Sequence, residues 1–583
     1  MSQTDLEIPQ RAIFLRKLWA LTWPYFRSSE WKSACGLLAV IIAMSLGLVF
    51  ISVLFNYWNN DFYNALQNKD EAAFWHQMGK FCYLAAAYIV VAVYYLYLQQ
   101  MLQIRWRRWM TDQLLREWLS NRSYYLMQFQ ASGTGADNPE QRIEADVDGF
   151  TDSTLSLTLG VLNSVVSLAS FVGILWTLSG PLSFALFGQQ ITIPGYMVWV
   201  ALIYAAVGSF LTFFIGRPLI KTNFLLQKYN ATFRFDMVRL RENSESVAFY
   251  RGEEAERRGL MRDFEDIWHT WWNYMRQRKS LTWFTAGYGQ IAIVFPFLVA
   301  APRYFSGAIQ LGGLMQISSA FGQVQDALSW FINAFSSLAS WKATVDRLTG
   351  FVDAIERAKA LRSGIDVADA TEPALEVEHL SLGLPDGRTL IGDLSAKVQP
   401  GEKILVSGPS GSGKTTLFRA LAGLWPFGKG AVRVPPLGRA LFLPQRPYLP
   451  VGTLRNALAY PAPAEGFSDE DMKQALTEVN LEHLRSKLDE PANWSMALSI
   501  GEQQRLAVAR ALLLKPDWLY LDEATAALDA ANEQRMYTLL QERLPRATIL
   551  SIAHRPEVAR FHQRRLAIAP ETNSATLAPI SAQ

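Results

Sequence analysis

Cysteine is nearly absent, with two in 583 residues. Cys35 and Cys82 both lie in apolar runs, so neither a disulfide scaffold nor a zinc site can be built. Charge is scarce too. Asp, Glu, Lys and Arg make up 18% of the chain, against about 25% in ordinary soluble domains. The formal net charge of +3 is too small to argue for nucleic acid as a partner. A cleavable targeting signal is not expected. The first 32 residues carry both signs of charge and no compact apolar core before a small-residue cleavage site. The shortage of charge is uneven. Charge-free apolar stretches fill much of the first 340 residues, while the last 210 read as a soluble protein. The length exceeds one ordinary domain.

About 20 apolar residues of helix cross a bilayer, and six segments qualify: Ser33–Tyr57, Phe81–Ile104, Thr154–Ser179, Gly195–Gly216, Leu281–Pro302 and Leu311–Ser340. The first five contain no Asp, Glu, Lys or Arg, and the sixth contains only Asp326. Lys and Arg placement orients them. The N-terminal tail holds five, the 105–153 connection six and the 217–280 connection thirteen, whereas the other connections share Lys69, Lys80 and Arg303. The tail, both long connections and the C-terminal region therefore face the cytoplasm. The long connections have few Gly or Pro breaks, so helices two to five are expected to run well past the membrane and turn back. A carboxylate at mid-membrane depth is costly unless it faces water or a partner. Asp326 either lines a cavity and touches substrate or a proton, or sits in a wet vestibule without a specific role.

From Leu375 onward, short apolar runs alternate with turns and helical stretches, the pattern of an α/β domain. The expected organisation is a tail (1–32), a six-helix membrane domain (33–340), a connection (341–372) and an α/β domain (373–583). Gly408-Pro409-Ser410-Gly411-Ser412-Gly413-Lys414-Thr415 fits the phosphate-binding loop G-x-x-x-x-G-K-[ST]. The strand-like Lys403–Ser407 precedes it and a helical run from Thr416 follows. Its glycines let backbone N–H groups close around phosphate at a helix N-terminus. Lys414 is placed for the β and γ phosphates of ATP, and the Thr415 hydroxyl for Mg²⁺. Trp518–Asp522 reads as a buried strand ending in two acids. Asp522 is suited to Mg²⁺, and Glu523 to orienting or deprotonating the attacking water.

Between these motifs, Leu498-Ser499-Ile500-Gly501-Glu502-Gln503-Gln504-Arg505 resembles the signature of ABC ATPases, usually written LSGGQ, with Ile500 and Glu502 as departures. The whole order resembles that family: phosphate loop, Gln445, signature, Asp522-Glu523, Asp529, His554. The resemblance implies a catalytic set of Glu523, His554 and Gln445, with Gln445 also toward Mg²⁺. It implies an ATP site drawing on Gly408–Thr416 of one chain and on Ser499, Gly501, Glu502 and Asp529 of a second copy. A homodimer with two identical sites follows. Leu384 stands where these domains often stack an aromatic on adenine.

In the membrane half, Asn138-Pro-Glu-Gln-Arg-Ile143 and Asn243-Ser-Glu-Ser-Val-Ala-Phe-Tyr-Arg-Gly-Glu253 resemble segments of the SbmA/BacA-like transporters and of the peroxisomal fatty-acyl ABC subfamily. Trp58–Leu66, Pro302–Gly307 and Leu311–Gln316 are similar to the bacterial SbmA/BacA branch with a fused ATPase. That resemblance implies an ABC exporter-type fold in the bacterial inner membrane. It also implies ATP-driven uptake of peptides, peptide antibiotics or cobalamin-like solutes. The alternatives are an exporter of lipid or hydrophobic drug and, from another class, an ATP-gated channel or regulatory membrane protein.

Overall fold

The computed structural model describes residues 10–129, 138–186, 189–361, 364–370, 372–435, 440–569 and 574–580. The chain divides into two compact units. One comprises Met1–Glu117 and Gly135–Asp353, the other Trp118–Thr134 and Ala354–Gln583.

The first unit is helical. Its elements are α1 (Gln10–Thr22), α2 (Trp31–Gln67), α3 (Glu71–Leu119), α4 (Val147–Ser179), α5 (Tyr196–Glu242), α6 (Ser244–Tyr250), α7 (Glu253–Phe305), α8 (Leu311–Asn333) and α9 (Phe335–Lys359). A strand pair, Pro181–Leu186 with Gln189–Pro194, joins α4 to α5. The helices α3, α5 and α7 hold 49, 47 and 53 residues. At 1.5 Å per residue each is roughly 70–80 Å long, more than twice the ~30 Å hydrocarbon core. Helices two, four and five thus extend past the membrane without a break, as the Gly- and Pro-poor connections predict, while helix three (α4) holds 33 residues and starts after a π-helical turn at Arg142–Asp146. Their flanks expose large apolar side chains, among them Ile89, Val93, Ile203, Phe210, Ile291 and Leu298. Such surface is stable only against lipid or another apolar partner.

Among the described residues, five helices are long and apolar enough to span a membrane. The sixth expected span, α8, is too polar to join them on composition. Its 23 residues reach about 35 Å, yet include Gln316, Gln323, Gln325 and Asp326. The reason is its position. It packs against α2, α4, α5 and α7, with Ile317, Ala320, Phe321 and Val324 in the core of the bundle. A helix so enclosed need not be apolar all round. It also ends earlier than expected, at Asn333, where Asn-Ala-Phe-Ser-Ser is a weak helix-forming run; α9 starts two residues later. The first turn of α8 is satisfied from α2. Gln67 Oε1 accepts from Leu311 N at 2.6 Å and Asn64 Oδ1 from Gly312 N at 2.9 Å. A side chain at Gly312 would collide with the Asn60 carbonyl.

The second unit is α/β. Its six-stranded sheet runs Ser574–Pro579, Arg564–Ala569, Lys403–Ser407, Thr548–Ile552, Trp518–Asp522, Ala440–Leu443. All neighbours are parallel except the first pair. The register sets Ile552 beside both Asp522 and Val406. Three strands therefore end together, which is where parallel α/β sheets bind ligands. A second sheet joins Ile365–Asp369, Gly428–Val434, Leu375–Gly383 and Thr389–Ile391, with Ala396–Val398 paired to Leu375–Gly383. The 341–372 connection is thus helical to Lys359 and then supplies a strand. Part of the 105–153 connection also belongs to this unit. Arg122 Nη1 donates to the carbonyls of Ala422 and Gly423, just past helix α10 (Lys414–Leu421), where a cation complements the helix dipole. Phe129 meets Trp425 and Phe427 edge-on.

Candidate nucleotide site

The loop Gly408–Gly413 leaves the strand Lys403–Ser407 and feeds straight into α10. Gly411 (φ +79°) and Gly413 (φ +93°) take the left-handed conformation that glycine adopts without penalty. A Cβ on Gly408 would lie 2.8 Å from the Ile568 carbonyl oxygen and from Ser412 Oγ. The buried Ser412 hydroxyl has no partner among the described residues, the kind of orphaned group that a phosphate oxygen satisfies. Lys414 Nζ donates to the carbonyls of Gly408 and Pro409 at 2.9 and 2.8 Å, so its charge lies within the loop. Burial pushes its pKa below the usual lysine value, against the opposing pull of Glu523 and Asp522. Thr415 Oγ1 donates to Asp522 Oδ1 at 3.0 Å. Burial raises the Asp522 carboxyl above the usual carboxylate range, and the Thr415 hydrogen bond works the other way. Thr416 is buried on the same helix.

Glu523 follows the strand end in a left-handed conformation, φ +51°, an unfavourable state for a non-glycine residue. Its N–H donates to the Ile552 carbonyl at 3.1 Å. Its carboxylate is held on both sides. His554 Nε2 lies 2.8 Å from Oε1, and Gln445 Nε2 donates to Oε2 at 2.9 Å. Gln445, Glu523 and His554 therefore meet around one carboxylate, next to the Thr415–Asp522 pair at the same strand ends.

The signature residues form a second group. Ser499 caps helix α11 (Ile500–Leu514), and Glu502 completes a capping box. Glu502 Oε2 accepts from Ser499 N at 2.9 Å and from Ser499 Oγ at 2.7 Å, which holds its pKa below the usual glutamate value. Glu502, a departure in sequence, thus has a structural use, because a carboxylate accepts both bonds. Gly501 sits against Ala527 and Leu528. Asp529 caps the helix Ala530–Arg543 by accepting from Asn532 N at 2.7 Å. Among the described residues, no hydrogen bond joins Ser499, Glu502 or Asp529 to the phosphate-type loop. Leu384 packs on the apolar core beside that loop.

Gln504, inside the signature run, holds the site from behind. Gln504 is only 1% exposed. Its Nε2 donates to the Gln445 carbonyl at 3.0 Å and lies 3.5 Å from that of Glu523, while its Oε1 accepts from Ala527 N at 2.9 Å. It ties three segments of the site together. The sequence signal for this is its spacing, three and four residues before Ala507 and Val508 on the apolar face of α11.

Residues 21–305 match the family described as ABC transporter transmembrane region 2, and residues 391–526 match the family described as ABC transporter. An uncharacterized ABC transporter ATP-binding protein of Haemophilus influenzae is 38% identical over 90% of this chain and 88% of its own length. The chain belongs to the ABC transporters. This transporter is also similar to the chloroplastic ABC transporter D family member 2 of Arabidopsis thaliana, at 34% identity over 97% of this chain and 88% of that one. The inner membrane ABC transporter ATP-binding protein YddA of Escherichia coli is 33% identical over 94% and 96%. A bacterial Atm1-family ABC exporter with ATP bound superposes with a TM-score of 0.71, covering 93% of this chain and 95% of that one. At 17% identity that likeness carries the fold alone. The ABC transporter joins a helical membrane domain to an ATP-hydrolysing α/β domain and uses ATP to drive transport across a membrane.

Proposed function

We propose that two copies of the chain form a bacterial inner-membrane importer of bulky polar solutes, in the SbmA/BacA branch, with both termini cytoplasmic. In this reading each ATP lies on Gly408–Thr416 of one copy and meets Ser499 and Gly501 of the other. The observation that carries it is the double restraint on Glu523. His554 and Gln445 fix both carboxylate oxygens, which suits a group that orients and takes a proton from a water. Thr415, Asp522 and Gln445 offer oxygen donors of the kind Mg²⁺ prefers. When bound, Mg²⁺ neutralises phosphate charge; the rest falls to this chain's residues. Lys414 and the loop N–H groups bind phosphate, Glu523 holds the water, and His554 and Gln445 hold Glu523. Cargo is read from Asp326, exposed on α8 away from the buried face, which suits cationic peptides. A second reading, an exporter of lipid or hydrophobic drug, is favoured by the resemblance of Asn138–Ile143 and Asn243–Glu253 to the peroxisomal fatty-acyl ABC subfamily.

Purified protein in liposomes tests the core of this. Glu523→Gln is expected to keep ATP binding and to lose at least about a hundredfold in turnover, the usual weight of a general base. Turnover near that of the parent would remove Glu523 from its role.

A further inference from the structure

The motif Asn138–Ile143 has no part in the nucleotide site, yet it leads into an unusual turn. Arg142–Asp146 forms a π-helical turn, a rare geometry found mostly at functional positions. Asp146, at its end, is only 4% exposed. Both its oxygens are taken. Oδ2 accepts from Arg142 Nη1 at 2.8 Å and from Arg347 Nε at 2.9 Å, while Oδ1 accepts from Arg347 Nη2 at 2.5 Å. Arg347 lies 201 residues away on α9, and Thr344 Oγ1 also accepts from it at 3.0 Å. The pair with Asp146 raises the Arg347 pKa further above the usual arginine value. Six residues earlier on α9, Trp341 Nε1 donates to Thr154 Oγ1 of α4 at 2.8 Å. The same stretch is held from α3 as well. Arg107 Nη1 donates to Asp148 Oδ1 at 2.9 Å, and Nη2 lies 3.4 Å from Glu144 Oε1.

These contacts lie inside the membrane unit, but the segments they join share a property of the chain trace. The chain passes between the two units three times, at 117/118, 134/135 and 353/354. Arg107 stands shortly before the first crossing, Asp146 and Asp148 shortly after the second, and Arg347 shortly before the third. A buried carboxylate with a bidentate arginine is costly to open, because opening strands a charge. Stability alone would be served as well by apolar packing.

We propose that the Arg142–Asp146–Arg347 cluster, with Arg107 on its flank, is a clasp that makes the three crossing segments move as one, so that ATP-driven motion reaches the membrane helices. Asp146 and Arg347 are positioning residues. They act on coupling and leave hydrolysis to the ATPase domain. This inference rests on the paired-copy reading above.

The test uses full-length protein in liposomes, with Cys35→Ser, Cys82→Ser and a spin label on Glu71→Cys, an exposed site at the start of α3. Label-to-label distances between copies are measured with and without ATP and vanadate. The parent is expected to shift on ATP. Asp146→Asn, Arg347→Gln and the double variant are expected to keep ATPase within about threefold of the parent, while the ATP-driven population shift falls about tenfold. The double variant should be no worse than Asp146→Asn, because the Asp146–Arg347 contact is lost in both and Arg142 loses its carboxylate in both; Arg347→Gln leaves the Arg142–Asp146 pair in place and guards against misfolding. Variants that shift like the parent overturn the clasp and leave the paired-copy reading standing. A double variant that loses ATPase together with the shift also overturns it, as a plain structural role would. A parent without any shift overturns the paired-copy reading and the clasp with it.

Discussion

Gln504→Leu is the sharpest probe of how the nucleotide site is held. The substitution keeps most of the volume and removes the amide. Two good hydrogen bonds disappear, those to the Gln445 carbonyl and from Ala527 N; the 3.5 Å approach to the Glu523 carbonyl is too long to count for much. Both bonds are part-buried rather than fully buried, which limits the penalty for the partners left behind. At about 1 kcal/mol net per bond, the ATPase domain should lose about 2 kcal/mol of stability. The effect on catalysis should be larger. Gln504 holds the backbone on either side of the Glu523 carboxylate, and a displacement of about 1 Å there costs about a hundredfold in rate. Steady-state ATPase should therefore show kcat down by about a hundredfold with KM little changed. Calorimetry should show the matching small drop in unfolding temperature. A kcat within twofold of the parent, or a loss confined to KM, would refute the reasoning.

Lys414→Ala removes a charge-assisted contact worth about 1.5–3 kcal/mol, so equilibrium ATP affinity should fall roughly 10- to 150-fold; unchanged affinity would reject the phosphate-loop reading. His562 is buried between the Val558 carbonyl (2.9 Å) and Ser551 Oγ (3.0 Å), and burial lowers its pKa from 6.5 to about 4. The unfolded chain therefore binds a proton that the folded one does not in this window, so stability is full above pH 6.5 and falls toward pH 4 by about 3 kcal/mol; His562→Gln should flatten that slope in urea titrations. If Asp326 reads charge, Asp326→Asn should lower uptake of cationic peptides into vesicles and spare neutral ones, and equal uptake of both would refute that role.

Much of this molecule is local in its logic. The phosphate-type loop is eight consecutive residues between a strand and a helix, so its glycine geometry and the placement of Lys414 follow from adjacent positions. The five charge-free spans are equally local, since a bilayer asks only for length and apolarity. Glu502 shows where local reading stopped short. Its i,i+3 relation to Ser499 is a capping box legible in the sequence, yet against the usual signature it stood out only as a departure.

What the sequence alone determined is therefore the list of parts: membrane helices that overrun the bilayer, a phosphate loop, an acid pair at a strand end, and a histidine after the next strand. The tertiary structure decided which parts touch. Gln445 and His554 lie 78 and 31 residues from Glu523, and only the parallel register of Thr548–Ile552 on Trp518–Asp522 brings His554 to its carboxylate. Asp146 and Arg347 carry no motif that pairs them, because a buried ion pair depends on two helices crossing at one height. The polar α8 is stable as a core helix only because four neighbours enclose it. Spacing along a chain specifies contacts within a turn of helix or strand, whereas contacts across elements depend on register and packing that no single segment encodes.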